Sequence, residues 1–138
     1  MSFCLINKDH FKQNINSILN HVDIEKIAFV LKNNAYGHGL PEMAQLASQN
    51  NIKHAVVIDY RETEKIIDLF ETILVLSGIP SSRPTDNISI AINQLDDIMK
   101  IPKGSNIELK IDTGMHRNGI REEELNRALE MIEQSNLY

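Results

Sequence analysis

The sequence predicts a parallel α/β fold, and three observations predict it. From Lys26 onward, short apolar runs alternate with segments of helical periodicity: strand, helix, strand, helix, strand, loop, strand, helix, strand, helix. The runs KIAFVLK, HAVVID and TILVLS are apolar on both faces, as strands covered on both sides are. Turn-forming stretches punctuate them, notably GIPSSRPTDN and Pro102-Lys103-Gly104.

Each element has its own justification. SFCLI reads as a short N-terminal strand outside the alternation. Phe11, Ile15, Ile18, Leu19 and Val22 fall on one helical stripe, which Asn7 or Asp9 could cap. After KIAFVLK, Pro41 suits the first position of a helix that buries Met43, Leu46 and Ala47 and stops near Asn50-Asn51. YRETEKIIDLF, after HAVVID, reads as a helix with Ile66, Ile67 and Phe70 inward. ISIAI is the fourth strand of the alternation and NQLDDIMKI a short helix. NIELKID alternates: Ile107, Leu109 and Ile111 share one face, Glu108, Lys110 and Asp112 the other. In REEELNRALEMIEQS the early acidic residues suit the helix dipole, and Leu125, Ala128, Leu129 and Ile132 form the stripe.

Bulk properties restrict function. The 138 residues fit one ordinary domain, and 42% apolar with 24% charged is a globular balance. A net charge of -5 without a basic cluster argues against a nucleic-acid partner. The lone Cys4 can form no internal disulfide and has no metal-ligand spacing, so it reads as a small apolar residue in a reducing, cytoplasmic setting. MSFCLINKDHFK lacks a long apolar stretch, so neither a signal peptide nor a membrane span is expected. No cluster has metal spacing, and Asn87-Ile88-Ser89 is a glycosylation sequon without meaning in the cytoplasm.

Two stretches could carry chemistry. In KIAFVLKNNAYGHGL, Lys32 ends an apolar strand, at the end where parallel α/β barrels gather catalytic residues. Desolvation there disfavours the charged amine and would make it a nucleophile able to form a Schiff base with an aldehyde such as pyridoxal phosphate. On spacing alone, most strand-end lysines simply reach into water. Tyr36 could donate to a phosphate or merely pack, Gly37 and Gly39 permit tight turns, and His38 reads as a hydrogen-bonded turn residue. In ELKIDTGMHRNG, Arg117 follows a strand end in a turn bounded by Gly114 and Gly119, where a fixed guanidinium can pair with a carboxylate. Glu108, Lys110 and Asp112 need partners if their face is inside; a wet edge-strand face is an equal alternative.

Together, VLKNNAYGHG and LKIDTGMHRNG, in this order, resemble the two signatures of the bacterial alanine racemase family, and TILVLSG resembles its third barrel strand. The likeness runs through all 138 residues. It implies a pyridoxal 5'-phosphate enzyme, an isomerase interconverting L-alanine and D-alanine to supply peptidoglycan synthesis, as a cytoplasmic homodimer. The implied fold is a TIM (β/α)8 barrel followed by a C-terminal β domain. Residues 1–138 would be about the first five barrel strands, with a strand in residues 1–8 belonging with the C-terminal domain. Lys32 would hold the cofactor and act as base on one face of the substrate α-carbon. Tyr36 would touch the cofactor phosphate, and Arg117 would bind the substrate carboxylate and the cofactor's phenolic oxygen. Lys110 matches a lysine carbamylated in several members; a carbamate would reverse its charge and orient Arg117.

The family's other base, a tyrosine of the second domain, and its main phosphate-binding segment have no counterpart in these residues. The expectation is therefore a truncated chain or gene fragment that does not racemise alanine alone. The alternatives are a non-catalytic cofactor-binding or scaffold remnant of the barrel, and another pyridoxal-phosphate barrel enzyme, a decarboxylase or broad-specificity racemase. DTGMHRNG favours alanine racemase over the latter.

Overall fold

Five short strands alternate with helices along residues 3–138, the residues that the computed structural model of the protein describes. The strands stand in chain order in the sheet, β1-β2-β3-β4-β5. The chain divides into a first unit ending at Ile73 and a second from Leu74 to Tyr138.

The first unit begins with α1 (Lys8–Leu19), capped by the Asn7 side chain, which accepts the His10 N–H at 3.0 Å. Only Ile15 of its predicted stripe is buried; Ile18, Leu19 and Val22 are exposed. β1 (Ala28–Val30) pairs in parallel with β2 (His54–Val57), Ala28 opposite His54 and Val30 opposite Val56. Between them lie one turn, α2 (Lys32–Tyr36), and helix α3 (Leu40–Gln49). Pro41 is the second residue of α3, whose missing N–H costs nothing in the first turn. Leu40, Ala44 and Ala47 bury the inner face of α3, with Ile52 and Val57 also fully buried in this unit. Burying such a side chain contributes about 1.5–3 kcal/mol for a residue as large as Leu or Ile.

Other expectations meet a different outcome in this unit. No strand forms among residues 3–7; Met1 and Ser2 of that expectation lie outside the described residues. A strand exists only by pairing, and the side chains of Phe3 and Leu5 are almost fully exposed. β1 is covered less than its sequence suggests, because it stands at the edge of the sheet: Ala28 and Val30 are exposed, and Phe29 packs edge-on to Phe11 with ring centroids 5.5 Å apart. Residues 60–70 are not one helix but a turn, α4 (Tyr60–Thr63), and a 3-10 turn (Ile67–Leu69). Thr63 bonds back to the Tyr60 carbonyl at 2.6 Å, and Lys65 and Ile66 donate three residues back, to Glu62 and Thr63. Such tightening replaces the four-residue pattern that a longer helix needs. Ile66 and Phe70 are nonetheless buried, as their periodicity predicted.

β3 (Thr72–Val75) spans the boundary between the units. In the second unit, β4 (Ile88–Ile92) pairs in parallel with β5 (Asn106–Leu109), Ile90 opposite Ile107. Ile88, Ile90 and Ile92 are fully buried, as is Ile98 of the short helix α5 (Leu95–Ile98). A 3-10 turn (Glu122–Glu124) leads into α6 (Leu125–Ser135), which seats Ala128 inward and leaves Leu129 half-exposed. Asn136–Tyr138 then return along β5: Gly104 donates to the Asn136 carbonyl, Tyr138 to Ser105, and Ile107 to Tyr138. No helix among the described residues is long and apolar enough to cross a membrane.

Candidate active site

Lys32 sits immediately beyond β1 on a backbone of unusual hand. Leu31 is fully buried and donates to the Val56 carbonyl at 2.7 Å, which fixes the strand's end. Asn33, Asn34, Ala35 and Tyr36 then have φ of 54°, 54°, 52° and 55°, and Gly37 closes the turn at φ 87°. α2 is therefore a left-handed helical turn. Such a conformation costs an L-residue roughly 1–2 kcal/mol and seldom occurs in consecutive residues. Asn tolerates it best, and two of the four residues are Asn.

Side chains hold this turn in place. Glu62 Oε1 accepts the Asn34 N–H at 2.8 Å and Oε2 accepts the Ile58 N–H at 3.0 Å. Asn34 Oδ1 accepts the Leu40 N–H at 2.8 Å, tying the turn to the start of α3. His38 Nδ1 lies 2.8 Å from the Ala35 carbonyl, which can only accept, so that nitrogen carries the proton. His38 is thus a hydrogen-bonded turn residue. Lys32 itself is half-buried, with Nζ 5.8 Å from the Tyr36 ring centroid. Among the described residues no carboxylate lies within ion-pair distance of it. A half-buried, unpaired amine on a tethered strand-end turn fits a group held through a lysine. Tyr36 is largely exposed, so its hydroxyl is open to a ligand.

The second motif is built around Asp112. Its Oδ1 accepts the N–H groups of Gly114 and His116, both at 3.0 Å, and Oδ2 lies 3.3 Å from His116 Nδ1. The His116 and Gly114 N–H groups hold this carboxyl below the usual aspartate range. The loop closes where Ile120 donates to the Lys110 carbonyl at 2.7 Å and Asp112 donates to Ile120 at 2.9 Å. Gly119 is required there: a Cβ would stand 2.8 Å from the Asp112 nitrogen. Arg117 is exposed on this loop and lines a cleft with Asp112, His116, Asn118 and Arg121. Lys110 Nζ donates to Asn118 Oδ1. An unmodified lysine offers Arg117 no acceptor, and Asn118 Oδ1 accepts the Lys110 hydrogen bond instead.

Lys32 and Tyr36 are thus brought together in the first unit, and Lys110 and Arg117 lie on one loop system in the second. Glu62 and Asn118 were missed in the sequence. Glu62 had a signal: Asp59-Tyr60-Arg61-Glu62 has capping-box spacing, and Asp59 does cap α4, accepting the Arg61 and Glu62 N–H groups at 2.9 and 3.3 Å. The Arg61 guanidinium beside it holds the Asp59 carboxyl below its usual range. Asn118 had no signal beyond turn composition.

Fold and site together define a parallel α/β protein with a lysine immediately beyond β1 and an arginine on the loop that follows β5. The profile of the alanine racemase N-terminal domain matches residues 6–137, and the chain belongs to that family. It is 40% identical to an alanine racemase of Nitratiruptor sp. over its whole length, which is 41% of that relative. The chain thus spans about two fifths of the curated relatives it matches. Among solved structures, alanine racemase from Corynebacterium glutamicum superposes with a TM-score of 0.78 at 21% identity, over 96% of this chain and 42% of that one. A histidine racemase from Leuconostoc mesenteroides gives 0.76 at 26%, over 94% and 39%. Alanine racemase from Bartonella henselae, with covalently bound pyridoxal phosphate, gives 0.73 at 21%, over 94% and 41%. The five strands with their helices match the N-terminal part of the alanine racemase barrel, as the sequence predicted.

Proposed function

We propose that this chain furnishes the lysine-bearing part of a pyridoxal 5'-phosphate-dependent alanine racemase. The observation that carries the proposal is Lys32: half-buried, free of ion pairs, and fixed beyond β1 by a strained turn of its own. Strain retained in this way marks functional positions. Lys32 Nζ would hold the cofactor, and Tyr36 would donate to its phosphate. The bound cofactor delocalises the electron pair left when the α-proton departs. Lys32, once displaced by the substrate amine, would take or return that proton on one face of the α-carbon. Arg117 would bind the substrate carboxylate through paired hydrogen bonds and face the cofactor's phenolic oxygen. A carbamate on Lys110 would give Arg117 a charged partner in place of the Asn118 contact. Inversion requires a second base on the opposite face, which the family resemblance assigns to the C-terminal domain. The same resemblance supports a cytoplasmic homodimer supplying D-alanine for peptidoglycan.

Borohydride trapping with pyridoxal 5'-phosphate, followed by peptide mapping, should place the pyridoxyl group on Lys32 ahead of every other lysine. An unmodified Lys32 in a folded sample would favour the scaffold reading. The likeness to a histidine racemase favours a second reading, racemisation of another amino acid. Chiral product analysis with L-alanine, L-serine, L-lysine and L-histidine separates the two.

A further inference from the structure

We infer that Glu62 is the positioning residue of the Lys32 turn: its carboxylate clamps the left-handed backbone of α2 to the end of β2. Nothing in the chemistry of the Lys32 motif itself requires a carboxylate 30 residues downstream. The geometry supplies the reason. A left-handed turn leaves N–H groups aimed away from the ladder that β1 and β2 share. The Asn34 N–H is one of these, and Glu62 Oε1 accepts it at 2.8 Å. The Ile58 N–H lies just past the last residue of β2, and Oε2 of the same carboxylate accepts it at 3.0 Å. One rigid, two-oxygen group thereby joins the two strand ends that flank Lys32. Each bond is charge-assisted and stronger than its neutral counterpart.

Glu62 is itself anchored, because its own N–H donates to Asp59 as the cap of α4. Asn34 extends the clamp, since its side chain accepts the Leu40 N–H while its backbone N–H is held by Glu62. The chain from α4 through Glu62 and Asn34 to α3 therefore fixes where Asn33–Tyr36 lie, and with them the origin of the Lys32 side chain. This role rests on the reading of Lys32 as the cofactor lysine, but the clamp can be tested apart from it.

Amide hydrogen exchange is followed by NMR in the full chain and its Glu62 variants. In Glu62→Ala, the Asn34 and Ile58 amides both exchange about tenfold or more faster, while those of Ala55 and Val57 in β2 hold. In Glu62→Gln, one carbonyl oxygen remains, so one of the two amides keeps its protection and the other loses it. In the same samples, pyridoxyl labelling at Lys32 relative to Lys53 falls in both variants. Unchanged exchange at Asn34 and Ile58 overturns the inference. So does altered exchange with undiminished labelling at Lys32. A wild-type chain that shows no preference for Lys32 sinks the cofactor reading alone and leaves the clamp standing on the exchange data. Should both variants unfold, Glu62→Asp decides: its shorter side chain cannot span both donors, so at least one of the Asn34 and Ile58 amides loses protection, and full protection of both overturns the clamp.

Discussion

Asp112 gathers two backbone N–H groups, from Gly114 and His116, and so bends the chain that carries Arg117. The same two donors lower its pKa, because they stabilise the ionised carboxyl. The sign follows directly. An unfolded aspartate binds its proton near pH 3.9, and the folded one binds it only at lower pH. Over that interval the unfolded chain holds more protons, so stability rises with pH. The contribution of Asp112 is complete above about pH 4 and disappears as the pH falls through its lowered folded value. Asp59 behaves in the same direction, so a global acid unfolding curve mixes the two residues. A local probe separates them. The Gly114 and His116 amide resonances should titrate together with a midpoint below that of an ordinary aspartate, and Asp112→Asn should abolish the transition. A midpoint at or above the ordinary value would contradict the assignment. The His116 ring contributes little to the pair, since it is largely exposed to solvent.

At the scale of elements, α2 is the part of the chain that its sequence conceals. Hydrophobic periodicity reports which side of an element is buried, and the left-handed turn between β1 and α3 buries only Ala35. The only local hint was the Asn33-Asn34 pair, because Asn accepts positive φ, but the same residue type also marks ordinary turns. The chain offers an internal comparison. Asn33 and Asn51 are both exposed with φ of 54° and 61°, the first in α2 and the second between α3 and β2. A β-branched residue is disfavoured at either. Asn33→Val and Asn51→Val should therefore each cost roughly 1–2 kcal/mol, read from urea denaturation midpoints at constant slope. Only Asn33→Val should also lower pyridoxyl labelling at Lys32, because only that substitution disturbs the turn which presents the amine. Equal loss of labelling in both would mean that α2 carries no special role. The other elements were more legible. The Ile88–Ile92 run became β4 and is almost wholly buried. The 60–70 segment kept Ile66 and Phe70 inward, with Ile67 only partly covered, but not its helix, because Thr63 turned the pattern tighter by bonding to the Tyr60 carbonyl.

At the scale of the molecule, the strand-and-helix alternation was legible because it depends on short-range patterns, whereas the covering of the edges was not. SFCLI and β1 have strand-like composition, yet Phe3, Cys4 and Leu5, and Ala28 and Val30 of β1, are exposed. Composition records what a segment suits, and burial depends on what lies against it. The other end of the chain shows the converse. Asn136–Tyr138 follow α6 without regular structure, and no sequence pattern marks them as paired. Their three backbone bonds to residues 104–107 follow the pattern of a parallel ladder, and Leu137 is 7% exposed while Tyr138 is 69% exposed. These residues therefore belong to the cooperative fold of the second unit. Leu137→Ala should cost about 2–5 kcal/mol, the range for deleting a buried leucine, and Tyr138→Ala within about 0.5 kcal/mol. Equilibrium urea denaturation of the two variants measures both. Equal, small losses would mean that the last residues ride on the surface; the expected asymmetry would mean that pairing along β5 continues through them.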